Sequence, residues 1–105
     1  MTIPVEPQLS FTLYLAAAKQ EDVEAMLKVG VAYSKGRGVE QNDESAFEWY
    51  TKAAKKGDKY AQCNLGVFYE HGRGCEIDLD QAMHWYQKSA VQENQGAINA
   101  VARLS

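Results

Sequence analysis

The stretch Leu65-Gly66-Val67-Phe68-Tyr69-Glu70-His71-Gly72-Arg73-Gly74 decides the fold, because its pattern stands thirty-six residues earlier as Val29-Gly30-Val31-Ala32-Tyr33-Ser34-Lys35-Gly36-Arg37-Gly38. Working outward, Asp22–Gly57 superimposes on Asp58–Glu93 with about 14 identities. The matches are mostly small residues, aromatics and turn glycines, among them Ala25/Ala61, Ala46/Ala82, Trp49/Trp85, Tyr50/Tyr86 and Ala54/Ala90. Self-similarity at this period marks stacked supersecondary units, none of which buries its apolar face alone. The register continues past both units. Phe11, Tyr14, Ala17 and Ala18 fall on Phe47, Tyr50, Ala53 and Ala54, while Asn94 and Ala97 fall on Asp58 and Ala61.

Local chemistry makes the units helical hairpins. Ala61, Leu65, Phe68 and Tyr69 recur at i, i+4, i+7 and i+8, which gathers them on one stripe of a helix. Gly36 and Gly72 stand where a first helix should end in a left-handed residue. Asp22, Asn42, Asp58, Asp78 and Asn94 stand where side-chain oxygens can accept from free N–H groups at helix starts. Gln81 is placed to complete a capping box with Asp78, and Pro7 suits a first helical turn. The expectation is an all-α solenoid of antiparallel helix pairs, with six helices near 7–20, 22–35, 43–56, 58–71, 79–92 and 94–104. It forms one domain over 1–105: a leading half repeat at 7–21, repeats at 22–57 and 58–93, and a capping helix at 94–105. Tyr33, Tyr69, Tyr50, Tyr86, Trp49 and Trp85 supply the bulk between helices, and Gly30, Gly66 and the matched alanines allow close approach.

Composition narrows the function. Hydrophobic residues at 46% and charged residues at 24% suit a folded globular domain. A formal net charge of −3 gives no general attraction to phosphate backbones or anionic lipid, so neither nucleic acid nor membrane is an expected partner. The apolar run Phe11–Ala18 is too short to span a bilayer and no Lys or Arg precedes it, so the cytoplasm is the expected location.

Leu65-Gly66, Tyr69, Gly72-Arg73-Gly74, Asp78, Ala82, Trp85-Tyr86 and Lys88-Ser89-Ala90 together resemble the signature of Sel-one-like repeats, a tetratricopeptide-related class with a longer helix-joining loop. The chain departs from that pattern at Met26, Asn42, Cys75, Ala102 and Ser105; the last two changes fit a capping helix. The resemblance implies a protein-binding scaffold. Cysteine-rich secreted proteins of this kind pair a cysteine at the position of Ala54 with one on the next helix. Ala54 and Ala90 break that scheme, and Cys63 and Cys75 are expected as free thiols.

No catalytic set, metal site or cofactor is expected. Gly36-Arg37-Gly38 and Gly72-Arg73-Gly74 follow no strand and continue into no phosphate-binding pattern, and His71, Cys75 and Glu70 fit no standard metal spacing. What remains is docking. In related repeats the first helix of each pair lines a concave face, and helical geometry turns Glu24, Leu27, Lys28, Val31, Ser34 and Lys35 toward it in the first unit. The second unit offers Tyr60, Cys63, Asn64, Val67, Glu70 and His71, and Asn99 with Arg103 extends the strip. The expected partner is another protein. An adaptor role is favoured; the alternative is an immunity protein whose acidic charge steers it to a basic toxin. Either a monomer or a homodimer through the terminal helices, at Phe11 and Leu13, fits the pattern.

Overall fold

A computed structural model of the chain describes residues 6–105, and these form six helices with no strand among them. They are α1 (Pro7–Lys19), α2 (Val23–Lys35), α3 (Asp43–Lys55), α4 (Lys59–His71), α5 (Leu79–Val91) and α6 (Gln95–Leu104). Each observed helix end lies within one residue of the expected one, because the caps are where the sequence places them. Asp22, Asn42, Asp58, Asp78 and Asn94 each accept from the N–H three residues on, at 2.8–3.0 Å. The capping box at Asp78 is not closed. The Asp78 N–H donates to the Tyr69 carbonyl at 2.9 Å, so this backbone donor is already satisfied.

Two kinds of reversal alternate. After α2 and α4 the chain turns on Gly36 and Gly72, at φ 68° and 70°, as the spacing predicts. After α1 and α5 the left-handed residue is not glycine but Glu21 (φ 70°) and Glu93 (φ 65°); Gly57 holds the matching place after α3. A left-handed glutamate is strained, and the only cue to it in the sequence is the period that lays Glu21 and Glu93 on Gly57.

The principal packing is between consecutive helices, giving a stack 49 Å long and 27 by 26 Å across. One core cluster runs through α1–α4, around Val29, Tyr50, Leu65 and Phe68. A second joins α5 and α6 through Ala82, Tyr86, Ala97 and Ala100, with Val67 and Cys63 of α4 packed against it. The small–large interlock is direct. A Cβ on Gly30 would lie 2.7 Å from the Tyr50 ring, and one on Gly66 2.7 Å from the Tyr86 ring, so only glycine leaves room for the aromatic. Edge-on pairs recur at the repeat spacing: Phe11 with Tyr33 and Phe47 with Tyr69, both at 5.3 Å between centroids.

The tryptophans differ from the expectation. Tyr50 and Tyr86 are buried, but Trp49 and Trp85 are only partly so. Each keeps one flank on the core and has a lysine over its ring, Lys52 at 4.4 Å and Lys88 at 6.0 Å. Adjacent residues on a helix point about 100° apart, so a Trp-Tyr pair cannot send both rings into one seam.

Candidate functional site

An open cleft of about 490 Å³ lies between α2 and α4. From α2 come Glu24, Leu27, Lys28 and Val31; Asp58 at the start of α4, with Tyr60 and Asn64 on it, forms the other wall. Leu27 and Val31 are partly buried against the core and give an apolar floor, while the charged groups form the rim. Tyr60 is 55% exposed, a large amphipathic ring left standing at the edge, with the Lys59 ammonium 5.4 Å from its centroid. Leu27, Lys28 and Val31 also wall a neighbouring hollow of about 380 Å³ toward α1, completed by Pro7, Ser10, Phe11 and Tyr14 and edged by Arg37. The two hollows share those three side chains, so they form one furrow across α1, α2 and α4.

The expected docking residues therefore divide. Glu24, Leu27, Lys28, Val31, Tyr60 and Asn64 come together in the furrow. Cys63 and Val67 turn instead toward the α5–α6 cluster, and burial pushes the Cys63 thiol above its usual range. Both cysteines are free, Cys75 lying with its Sγ 3.5 Å from the Phe68 carbonyl oxygen. The remaining residues gather at the far ends of α2, α4 and α6 or on their outer faces. The Ser34 carbonyl accepts from the Arg73 guanidinium at 3.3 Å and from Gln41 at 3.1 Å, which engages it in the fold. Lys35 is exposed in the last turn of α2, and exposed Asn99 accepts from Gln95 on its own helix at 2.9 Å.

Glu70 is the most committed of them. Arg103 holds it with two hydrogen bonds, at 2.7 and 2.9 Å, and the Tyr86 hydroxyl donates to it at 2.7 Å. Its side chain is 9% exposed. The Arg103 hydrogen bond, against a smaller opposing effect of burial and with help from Tyr86, pulls its carboxyl down to about 2. Burial first, then the bond to Glu70, raises the Tyr86 phenol well above the usual tyrosine range. His71 stands 3.9 Å from the same carboxylate. Glu70 and Arg103 thus close α4 on α6 and are not free rim charges, while His71 stays exposed beside them.

Sequence reasoning missed Arg73. Its guanidinium meets Asp43 at 2.7 and 3.2 Å across thirty positions, lies 4.5 Å from the Phe68 ring centroid, and ties the second helix-joining loop to the start of α3. The signal was available: the period that pairs Arg37 with Arg73 also puts Asp43 one repeat after Pro7. Also unforeseen were the α1 wall of the furrow, from Pro7, Ser10, Phe11 and Tyr14, and a separate lysine-lined cleft between α1 and α3.

The family model for Sel1 repeats matches residues 1–22, 23–58 and 59–93. Comparison with curated proteins finds no match. Among solved structures, the chain is similar to c5321, a protective antigen present in uropathogenic Escherichia coli strains displaying an SLR fold. There the TM-score is 0.95 at 28% identity, over 97% of this chain and 22% of that one. A Sel1 repeat protein from Oxalobacter formigenes gives 0.84 at 39% identity, over 89% and 38% of the two chains. Helicobacter pylori cysteine rich protein B gives 0.85 at 21% identity, over 91% and 72%, a likeness of fold. The chain thus spans well under half the length of the first two.

Proposed function

From the premise that this chain belongs to the Sel1 repeat family, whose repeats typically serve as protein-interaction modules, we propose that it is a non-catalytic adaptor holding a partner polypeptide in the furrow across α1, α2 and α4. The observation that carries the reading is the composition of that furrow. Leu27 and Val31 form an apolar floor, exposed Tyr60 offers ring area at little entropic cost, and Glu24, Lys28, Asp58 and Asn64 supply a polar rim. Such a centre-and-rim arrangement is that of a docking patch, in which a few aromatic and apolar anchors carry most of the affinity.

The test must spare the core. Val67 packs against the α5–α6 cluster, so a charge there would report stability rather than docking. Tyr60 and Lys28 are exposed, and Tyr60→Ala with Lys28→Glu should weaken the captured partner by about tenfold or more while the melting temperature stays within a few degrees. Binding measured by calorimetry with purified partner decides it. Undiminished affinity in the double variant sinks the furrow as the docking site.

A further inference from the structure

The junctions α1–α3 and α3–α5 differ in a way the period does not require. Between the C-terminal ends of α1 and α3 lies an open cleft of about 640 Å³, floored by Ala18 and Met26 and walled by Trp49. Lys19, Lys52, Lys55 and Lys56 surround it, against Glu21 alone, in a chain whose formal net charge is −3. Only Lys56 has a carboxylate in reach, Glu21 at 3.0 Å; among the described residues no carboxylate lies within salt-bridge distance of Lys19, Lys52 or Lys55. One repeat later the same positions hold Gln62 for Met26, Val91 for Lys55 and Gln92 for Lys56. There the Gln92 amide donates to the Gly57 carbonyl at 2.9 Å and to Gln62 Oε1 at 3.0 Å, which bridges the junction.

We propose that the open junction between α1 and α3 is a second docking site, for an acidic segment of a partner polypeptide. Its carboxylates would meet Lys19, Lys55 and Lys52, the last drawn off the Trp49 ring that it now covers at 4.4 Å, and an apolar side chain would take its place along Trp49. Complementing helix C-termini does not account for four lysines, since α5 ends with Lys88 as its single basic residue. The same helix ends set the class of ligand. Both α1 and α3 present carbonyls here, and their partial negative charge disfavours a compact multiply charged anion such as phosphate, which binds best at helix N-termini. Singly charged carboxylates spaced along an extended segment each reach one ammonium outside that field. A cleft of this volume admits such a segment, and the Trp49 ring walls its apolar side chain once Lys52 turns to a carboxylate. The site is independent of the furrow, from which it takes no side chain.

The experiment uses the full chain carrying Trp85→Phe, so that Trp49 is the only tryptophan and is excited at a wavelength tyrosine does not absorb. It is titrated with the peptide Glu-Asp-Leu-Glu-Asp-Leu, its Gln-Asn-Leu analogue, inorganic phosphate and phosphatidylserine vesicles. Saturable change in Trp49 emission with the acidic peptide is expected, weakened about tenfold by Lys52→Gln with Lys55→Gln and weakened further by salt, because these contacts are screened beyond ~10 Å at 0.1 M. Lys88→Gln, at the bridged junction, should leave it unchanged. Amide chemical shifts of the unaltered protein, confined to the neighbourhood of Lys19, Lys52 and Lys55, give the same answer without any substitution. The proposal is overturned by an equal response to the neutral analogue, by tighter response to phosphate or vesicles, by indifference to the lysine substitutions, or by equal loss in Lys88→Gln.

Discussion

The loops Gly36-Arg37-Gly38 and Gly72-Arg73-Gly74 share their sequence and their left-handed glycines, and their second glycines make the same contact. A Cβ on Gly38 would lie 2.1 Å from the Pro7 carbonyl oxygen, and one on Gly74 2.3 Å from that of Asp43, so each loop presses backbone to backbone on the start of the helix one repeat back. The arginines between them part company. Arg73 is spent on Asp43 and Ser34, while Arg37 is exposed at the edge of the furrow, because α1 opens with Pro7 where α3 opens with Asp43. A repeated motif therefore does not carry a repeated role: the residue one period upstream decides whether its cation is structural or available.

The sharpest way to break this comparison is at the contact the loops share. Gly74→Ala puts a methyl against main chain that cannot swing aside, at a φ of +66°, and should cost about 2–4 kcal/mol as strain and overpacking combine. Gly38→Ala should cost a similar amount if α1 is held as α3 is. Urea unfolding of the two variants measures both, and a near-neutral result at either position removes that junction from the account.

A smaller effect separates the arginines. Arg73→Ala loses charge-assisted bonds to a part-buried partner and should destabilise by about 1–3 kcal/mol, whereas Arg37→Ala should stay within about 0.5 kcal/mol. Pro7→Asp sharpens the contrast, since it supplies Arg37 with the carboxylate Arg73 already has. Arg37→Ala should then become costly in that background, which a double-mutant cycle reads directly.

The remaining effect is one of pH. Ser34 and Glu70 occupy the same repeat position below Tyr50 and Tyr86, but only Glu70 titrates. With its carboxyl lowered from 4.5 to about 2 in the fold, its stabilising contribution is complete above the unfolded value near 4.5 and is lost as pH falls from there toward 2. Between pH 5 and 2, Glu70→Gln should therefore lose less stability than the unaltered chain. Parallel slopes in chemical denaturation would show that Arg103 and Tyr86 do not hold this carboxylate as described.

The fold was legible because its determinants are local or periodic. Asp and Asn caps, Gly36 and Gly72, and the Gly30/Gly66 and Tyr50/Tyr86 matches each announce a helix end or a close approach through residue type at a fixed spacing. The site was half legible. Helical geometry named Glu24, Leu27, Lys28, Val31, Tyr60 and Asn64 in the furrow, but also named Cys63, Val67, Glu70 and Arg103, which the packing of α6 withdraws into structure. The left-handed Glu21 and Glu93 are not announced by their own residue type, which disfavours that conformation, and only their register with Gly57 points to it.

By itself the sequence determined six helices, five of them with capping side chains, their order and the faces they bury, since those follow from hydrogen bonding within a few residues and from a period that repeats steric shape. Tertiary structure alone decided which charges are used up and which stay free. Asp43 with Arg73, Glu70 with Arg103 and Gln62 with Gln92 are thirty or more positions apart, and their pairing depends on how one hairpin seats on the next. Electrostatic partnership is a property of distance in space, and the cations that find no carboxylate among the described residues, Lys28 and Arg37 at the furrow and Lys19, Lys52 and Lys55 at the cleft between α1 and α3, are known only once the helices are stacked.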